Sequence, residues 1–177
     1  MMRRFPRFPL LLALLAGCLV FCSLAASAQT GIYAEFSTSD FNGSAGRHSG
    51  TTFGLYHNFL HAPVVGIGAD VRASLLGSGD TKAYVGFVGP MLRIHPPVFP
   101  LTPYVEGLVG AGNVHVGSGG NFFSKTAFAY EGVIGLDWTI LPRIDWRVVE
   151  YSAGGFASAN ASISPRTWST GLVLRLP

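Results

Sequence analysis

Ten charged side chains lie inside apolar stretches of this 177-residue chain. Asp70 and Arg72 are two residues apart, as are Asp145 and Arg147, so each pair would share one face of a β-strand. Buried carboxylates and guanidinium groups pair with one another because an unpaired buried charge is costly. The same residues could instead line a narrow path for a solute or a proton. The ten are Glu35, Asp70, Arg72, Arg93, Glu106, Glu131, Asp137, Asp145, Arg147 and Arg175.

Nucleophilic catalysis has weaker support in the sequence. His48, Ser78 and Asp80 could supply a base, a hydroxyl nucleophile and an acid, but they lie in segments rich in Gly, Ser and Asp, where such sets arise by chance. The other histidines lack the spacing of metal ligands, and no glycine pattern leads from a strand into a helix. We therefore expect no catalytic residue, no cofactor and no metal. The other histidines are His57, His61, His95 and His115.

The first 28 residues have the features of an export signal. Three arginines precede an apolar stretch, and a polar segment follows it. Ala26 and Ala28 fit the two small-residue positions of a cleavage site, so we expect the mature chain to begin at Gln29. The segment Leu15 to Cys18 allows a second interpretation, a bacterial lipobox in which the cysteine is lipidated.

Removal of residues 1–28 changes what the composition implies. The whole chain has a net charge of +3, but three arginines lie in the signal, so the rest has equal numbers of basic and acidic residues. A nucleic-acid partner, which needs a basic surface, is therefore not expected. Both cysteines also lie in the signal, which excludes disulfides and thiol catalysis after cleavage. We expect residues 29–177 to form one domain.

The remaining chain alternates between apolar and polar residues in eight segments, which predicts β-strands. Most are longer than the ~5–6 residues of soluble strands and close to the ~9–11 that a tilted strand needs to cross a bilayer. No stretch is apolar for long enough to predict a transmembrane helix. The segments are 31–37, 51–59, 64–76, 83–95, 102–116, 126–140, 143–151 and 166–176.

The connections between segments are of two alternating kinds. Those after the first, third, fifth and seventh segments are polar and rich in Gly and Ser, whereas the others are compact and contain proline. Short periplasmic turns and longer outer loops are typical of outer-membrane barrels. Phe122 and Phe123 would stand at an outer loop tip, either contacting lipopolysaccharide or another surface or folding back over the barrel mouth. Pro90 falls within a segment, where we expect a bulge.

The two faces of each segment differ in character. In 126–140 the large apolar side chains share one parity, and Glu131 and Asp137 share the other. A soluble sandwich would bury the apolar face. Here, however, the charges lie mid-strand among glycines, and only 12% of the chain is charged, against ~25% or more of a soluble surface. We therefore expect charges inside and apolar groups outside. Glu150 has the opposite parity to Arg147, so we place it near the outer interface or past a bulge.

The three tryptophans occupy positions that suit a membrane interface. Trp138 and Trp146 flank the turn after the sixth segment on the apolar face, and Trp168 lies near the opposite end of its segment. This arrangement predicts two aromatic girdles, one at each interface, with ordinary strand positions as the alternative.

After residue 28 the whole chain resembles the small eight-stranded outer-membrane β-barrels of the OmpX and OmpA-transmembrane type. Ser169, Gly171, Leu174 and Leu176 fit the C-terminal signal that the barrel-assembly machinery reads in that family, although its members usually end on an aromatic residue. The resemblance implies an all-β fold, an eight-stranded antiparallel up-and-down transmembrane barrel in the bacterial outer membrane. It also implies the assembly machinery and outer-membrane lipid, including lipopolysaccharide, as partners.

The function implied by the resemblance is a non-enzymatic envelope-structural or surface-interaction role through four extracellular loops. The lumen of an eight-stranded barrel is just wide enough for side chains to fill it, so we expect its charges to be structural. A narrow channel or transporter is the second interpretation. His48 with Ser78 and Asp80 loosely resembles the lipid A palmitoyltransferase barrels, which makes a lipid A-modifying enzyme the third. A soluble periplasmic barrel is the fourth.

Overall fold

The computed structural model describes residues 29–41, 46–62, 64–78, 81–118, 121–158 and 161–176. The predictions for residues 1–28, for Asp80 and for the loop-tip role of the Phe122 and Phe123 side chains lie outside what is described. Within the described ranges, no helix has the length and apolarity needed to cross a membrane. The strands are β1 (Thr30–Phe41), β2 (Gly46–His61), β3 (Val65–Ser78), β4 (Thr81–Ile94), β5 (Leu101–Ser118), β6 (Asn121–Leu141), β7 (Ile144–Ser158), β8 (Ala161–Ile163) and β9 (Pro165–Leu176).

The strands form a closed antiparallel barrel whose wall consists of eight strands, β1 to β7 and β9. Each strand from β1 to β7 pairs with the next along the chain, and β9 pairs with both β7 and β1. Thr30 lies opposite Leu176, and Phe41 lies opposite Pro165, so the last strand closes the barrel on the first, as predicted. The three-residue β8 only extends the β7 hairpin beyond the wall. We call the end of the barrel that carries Thr30 and Leu176 the terminal end, and the opposite one the loop end.

The alternation of side chains turns the polar face inward. On β1, Glu35 is 3% exposed whereas its neighbour Phe36 is 58% exposed. The same inversion holds around the wall, where large apolar side chains of each of the eight wall strands point outward. An apolar band of this extent needs lipid around it, which is the pattern of a transmembrane barrel and the reverse of a soluble sandwich.

The hairpin of β5 and β6 is longer than the sequence predicted. Only residues 119–120 separate the two strands, and Gly117 and Val116 lie opposite Phe122 and Phe123 in the sheet. Both phenylalanines therefore belong to the paired strand β6, close to the outer end of the hairpin, and not to an unpaired loop. Phenylalanine and valine favour extended backbone, so the strands continue through residues that were assigned to the loop.

Pro90 sits in β4 without the predicted bulge. It lies opposite Ala69 of β3, and the register between β4 and β5 is the same on both sides of it, with Val88 opposite Val109 and Met91 opposite Glu106. Backbone pairing with β5 is interrupted at residues 89–90 and resumes at Met91, because proline has no N–H to donate. The strand therefore loses ladder bonds here but keeps its parity.

A bulge occurs instead in β7, where it reverses the parity of the strand. Leu136 lies opposite Val149, but Asp137 lies opposite Arg147, so Val148 is the extra residue. The bulge brings Glu150 to the inner face together with Arg147. Of the two positions considered for Glu150, past a bulge is correct and near the outer interface is wrong.

Candidate functional site

The lumen is filled by side chains arranged in layers. On β1 the inward residues are Tyr33 and Glu35, then Ser37 and Ser39, and finally Phe41 at the loop end. Tyr33 and Glu35 belong to an ion layer, Ser37 and Ser39 to a hydroxyl layer, and Phe41 to an apolar layer. The candidate site is the ion layer, because it gathers most of the charges that the sequence singled out.

Arg147 is the most deeply buried arginine of the ion layer, with a relative exposure of 0%. Its Nε donates to Asp137 at 2.9 Å, and its Nη1 donates to both Glu35 and Glu150. Its guanidinium carbon lies 4.3 Å from the ring centroid of Tyr33. Three carboxylates and an aromatic face therefore compensate a single buried cation, which would be very costly alone.

Arg72 is the second centre of the ion layer. It donates from Nε to Asp70 at 3.0 Å, from Nη1 to Glu150 at 2.7 Å, and from Nη2 to Glu106. Glu150 thus bridges Arg72 and Arg147, and it also accepts a hydrogen bond from the Tyr104 hydroxyl at 2.6 Å. The carboxylate that the sequence placed ambiguously is the link between the two centres.

Arg93 extends the ion layer to β4. It donates to Asp137 at 2.7 Å, so Asp137 bridges Arg93 and Arg147. A continuous series of ion pairs therefore runs across the lumen through Asp70, Arg72, Glu150, Arg147, Asp137 and Arg93. With Glu106 attached to Arg72 and Glu35 attached to Arg147, the network joins six strands. Such a network cross-links the wall and leaves little room for passage.

Tyrosines opposite glycines support the buried arginines. Tyr33 lies opposite Gly54, and Tyr104 lies opposite Gly135; a Cβ on either glycine would collide with the facing ring. The rings can therefore lie against the neighbouring strand and offer their faces to Arg147. The lumenal position of these tyrosines was not predicted from the sequence, although each is two residues from a predicted lumen carboxylate and shares its parity.

The hydroxyl layer lies on the loop side of the ions. Thr52 hydrogen-bonds with Ser37 at 2.8 Å and with Ser74 at 2.9 Å, and Ser169 donates to Ser37 at 2.9 Å. A cavity of about 40 Å³ adjoins this layer, with Arg72 and Glu150 among its lining. Since one water needs about 10–15 Å³, this space holds a few waters at most.

The remaining predicted lumen residues lie at the margins of the network. Glu131 faces the cavity, whose lining also includes Ser152, and it forms no salt bridge within the described ranges. At the terminal end, Arg175 pairs with Asp145 at 3.0 Å and is partly exposed. All ten predicted residues therefore face the lumen, and salt bridges join nine of them into two separate groups, the large network and the pair of Arg175 with Asp145.

Carboxylates outnumber arginines in this lumen. Among the described residues, seven inward acidic residues face four inward arginines. Within the described ranges, Glu35 Oε2 and Glu106 Oε1 are buried without a hydrogen-bond partner. The interior is therefore acidic, which opposes the passage of anions. The acids are Glu35, Asp70, Glu106, Glu131, Asp137, Asp145 and Glu150, and the arginines are Arg72, Arg93, Arg147 and Arg175.

His48 is not placed for the lipid-directed catalysis considered above. It lies in β2 and not in a loop, is buried in the lumen, and packs edge-on against Phe41 with ring centroids 4.8 Å apart. A base acting on membrane lipid would have to face outward. In the described part of the chain, no three His, Cys, Asp or Glu residues are grouped to hold a metal ion.

Solved structures of other proteins share this architecture. Neisserial surface protein A is 15% identical, with a TM-score of 0.57, over 83% of this chain and 96% of that one. Ail, the attachment invasion locus protein of Yersinia pestis, is 15% identical, with a TM-score of 0.59, over 84% and 97% of the two chains. The N-terminal β-barrel domain of Pseudomonas aeruginosa OprF is 10% identical, with a TM-score of 0.52, over 85% and 100%.

This chain has the fold of the small outer-membrane β-barrels. No family model and no curated protein sequence matches it. The fold agrees with the exposed apolar band, which a closed barrel presents to lipid in the bacterial outer membrane. In the orientation typical of such barrels, we expect the terminal end to be periplasmic and the loop end to face outward.

In this outer-membrane barrel the tryptophans lie on the lipid-facing wall. Trp138 and Trp146 stack near the terminal end with ring centroids 6.2 Å apart, and Trp168 packs against Tyr151 nearer the loop end. In β9, Leu174 and Leu176 face outward, whereas Ser169 and Arg175 face the lumen. Gly171 lies opposite Glu35, where a Cβ would collide with the β1 backbone. Recognition of these residues during assembly remains a prediction.

Proposed function

We propose that this outer-membrane barrel is a non-enzymatic protein that acts at the cell surface through its loop end, while its lumen is a structural support. The observation that carries this proposal is the continuous ion-pair series across the lumen. A barrel whose interior is cross-linked in this way holds its wall rigid and presents the outer hairpins in fixed positions.

The lengths of the strands support a surface role. β5 has 18 residues and β6 has 21, against the ~9–11 residues that a tilted strand needs to cross the bilayer. Their shared hairpin therefore extends beyond the membrane on the loop side. Among the structural neighbours, Ail has been solved in complex with the heparin analogue sucrose octasulfate, at a TM-score of 0.50 and 15% identity to this chain. A barrel of this fold can thus bind a small sulfated molecule.

A conductance measurement tests the structural role of the lumen. We expect the refolded protein in a planar bilayer to show no steady ion conductance. The channel interpretation predicts cation-selective conductance that changes when Arg72 is replaced, and its observation would overturn the proposal. Glu131→Gln is a suitable second variant, because Glu131 faces the lumen without a salt bridge in the described part of the chain.

Shortening the β5–β6 hairpin tests the surface role. Joining residues 113 and 126 by a two-residue turn removes the outer part of the hairpin and retains the strand lengths needed to span the membrane. We expect this variant to assemble and to show heat-modifiable migration, but to lose the cell-surface binding of the full-length protein. Equal binding by the two proteins would contradict a role for this hairpin.

A further inference from the structure

Two exposed arginines lie on the outer wall at the loop end. Asp40 of β1 lies between Arg47 of β2 and Arg166 of β9 in the strand register, and all three side chains are exposed. Neither arginine forms a salt bridge with any residue that the structure describes. The row therefore has two guanidinium groups against one carboxylate and carries a net positive charge.

The strand register places this row at the height of the outer lipid headgroups. At the terminal end, Thr30 of β1 lies opposite Leu176 of β9. The Thr30 hydroxyl is hydrogen-bonded to the imidazole Nδ1 of His57 on the neighbouring strand β2 at 2.8 Å. From Leu176 to Arg166, β9 advances ten residues, which corresponds to about 25 Å along the membrane normal for a strand tilted by roughly 40°. This distance equals the usual height of the apolar band, about 25 Å.

Two adjoining depressions mark this side of the wall. The first, the rim pocket, has a volume of about 330 Å³ and is lined by Thr38, Asp40, Arg47, Arg166 and Trp168. The second, the wall groove, has a volume of about 310 Å³ and is lined by Ile134, Gly135, Leu136, Val149, Tyr151 and Trp168. The wall groove is apolar and lies beside the β7 bulge. Trp168 borders both, so a cationic depression and an apolar one meet at a single indole ring.

We propose that the rim pocket and the wall groove together bind one phosphorylated glycolipid of the outer leaflet, with Arg47 and Arg166 holding its phosphate directly and the groove holding one of its acyl chains. The inference rests on the proposed function in one respect, namely that the outer wall faces the outer membrane. It adds a specific site on the wall, with named phosphate-binding residues, to the general lipid contact that the resemblance implies.

The chemistry of the two depressions fits such an amphiphile. Guanidinium groups bind phosphate through parallel N–H donors and are favoured over ammonium groups for this purpose. Trp168 is 58% exposed, and an indole between apolar and wet surroundings suits the level where headgroup and acyl chain join. A soluble polyanion would find the two arginines but would leave the apolar groove empty.

Native mass spectrometry of lipid retention tests this site. The protein is reconstituted in phosphatidylcholine nanodiscs that contain bisphosphorylated lipid A, released in mild detergent, and examined for bound lipid. We expect the wild type to retain one lipid A molecule. Each arginine near a charged membrane surface contributes about 1 kcal/mol, so Arg47→Gln and Arg166→Gln should each lower retention roughly fivefold, and the double variant about 25-fold.

A matched control comes from the opposite side of the barrel. Lys82 is an exposed cation at the loop end of β4, four strands away from β9. Lys82→Gln should therefore leave retention unchanged. Equal loss in the Lys82 variant and the double arginine variant would overturn the site, because it would indicate a general effect of charge.

Three further results decide the chemistry. The wild type should retain dephosphorylated lipid A as weakly as the double variant retains bisphosphorylated lipid A. Equal retention of the two lipids by the wild type would overturn phosphate recognition.

Asp40→Asn should raise retention of bisphosphorylated lipid A, since a carboxylate beside the phosphate opposes binding. A fall in retention would overturn direct binding by the arginines. Binding of a sulfated polysaccharide that requires both arginines, without lipid retention, would overturn the lipid assignment. Conductance of the wild type would contradict the proposed function and leave the lipid result unaffected.

Discussion

The ring of Tyr104 lies over Gly135, the residue that faces it across the β5–β6 ladder. The side of the ring that faces the lumen meets Arg147, whose guanidinium carbon is 4.5 Å from the ring centroid. A glycine on the wall therefore determines where a cation can rest inside the barrel. Tyr33 and Gly54 repeat the arrangement on the opposite side of the same arginine.

Gly135→Ala should destabilise the barrel by about 1–3 kcal/mol, because the added methyl group overpacks the site and displaces Tyr104 from Arg147. Urea unfolding of the protein in lipid vesicles measures the free energy of unfolding. Gly86→Ala is the control, since a Cβ at Gly86 meets no atom within 4 Å. The control should be neutral or slightly stabilising because alanine restricts the unfolded chain. Equal effects of the two substitutions would contradict the packing role of Gly135.

Glu150→Gln should destabilise the barrel by about 3–5 kcal/mol, because it removes the charge shared by Arg72 and Arg147 and leaves buried cations undercompensated. The same unfolding measurement applies. Glu131→Gln keeps hydrogen-bonding capacity at a position without a salt bridge among the described residues, so its cost should be about 1 kcal/mol or less. If the two variants were equally stable, Glu150 would not be the link of the network.

Arg143→Gly should stabilise the turn between β6 and β7 by about 1 kcal/mol. Arg143 has a φ of 106°, outside the range that residues with a Cβ prefer, and it follows Pro142 in the turn. Arg143→Ala removes the side chain but retains the Cβ, so it should show no such gain in unfolding experiments. A gain of the same size in the alanine variant would assign the effect to the side chain instead of the backbone.

Lipid quenching should separate the tryptophans by depth. In variants that retain only Trp168, or only Trp138 and Trp146, phospholipids brominated close to the headgroup should quench fluorescence more strongly than those brominated near the chain end. This result follows from interfacial positions on the wall. Stronger quenching by the deeper bromines would place the rings at mid-membrane and contradict the two girdles.

The alternation of apolar and polar side chains was sufficient to predict the eight wall strands and which face of each points into the lumen. In β3, Asp70 and Arg72 lie inside as parity requires, because a period of two leaves a strand no intermediate orientation. The predicted strand ends were less accurate, since the outer hairpins continue as paired strands into Gly- and Ser-rich sequence.

The bulge in β7 could not be predicted from the strand alone. Val148 has no local feature that marks it as the extra residue; the bulge follows from how β7 pairs with both β6 and β9. The proline signal was misleading for the same reason: it predicted a bulge at Pro90 of β4, whereas the bulge lies at Val148 of β7. The rim pocket escaped sequence analysis because Arg47 and Arg166 are distant in sequence and become neighbours only through β1.

The ion-pair series also bears on how the strands find their register. A slip of one residue exposes the polar face to lipid, so the membrane itself rejects it. A slip of two residues preserves the apolar exterior, and lipid cannot distinguish it from the native state. It would, however, separate Glu150 from Arg72 and Arg147 and leave buried charges without partners. The charges in the lumen therefore select the native barrel from the misregistered barrels that hydrophobicity alone would accept.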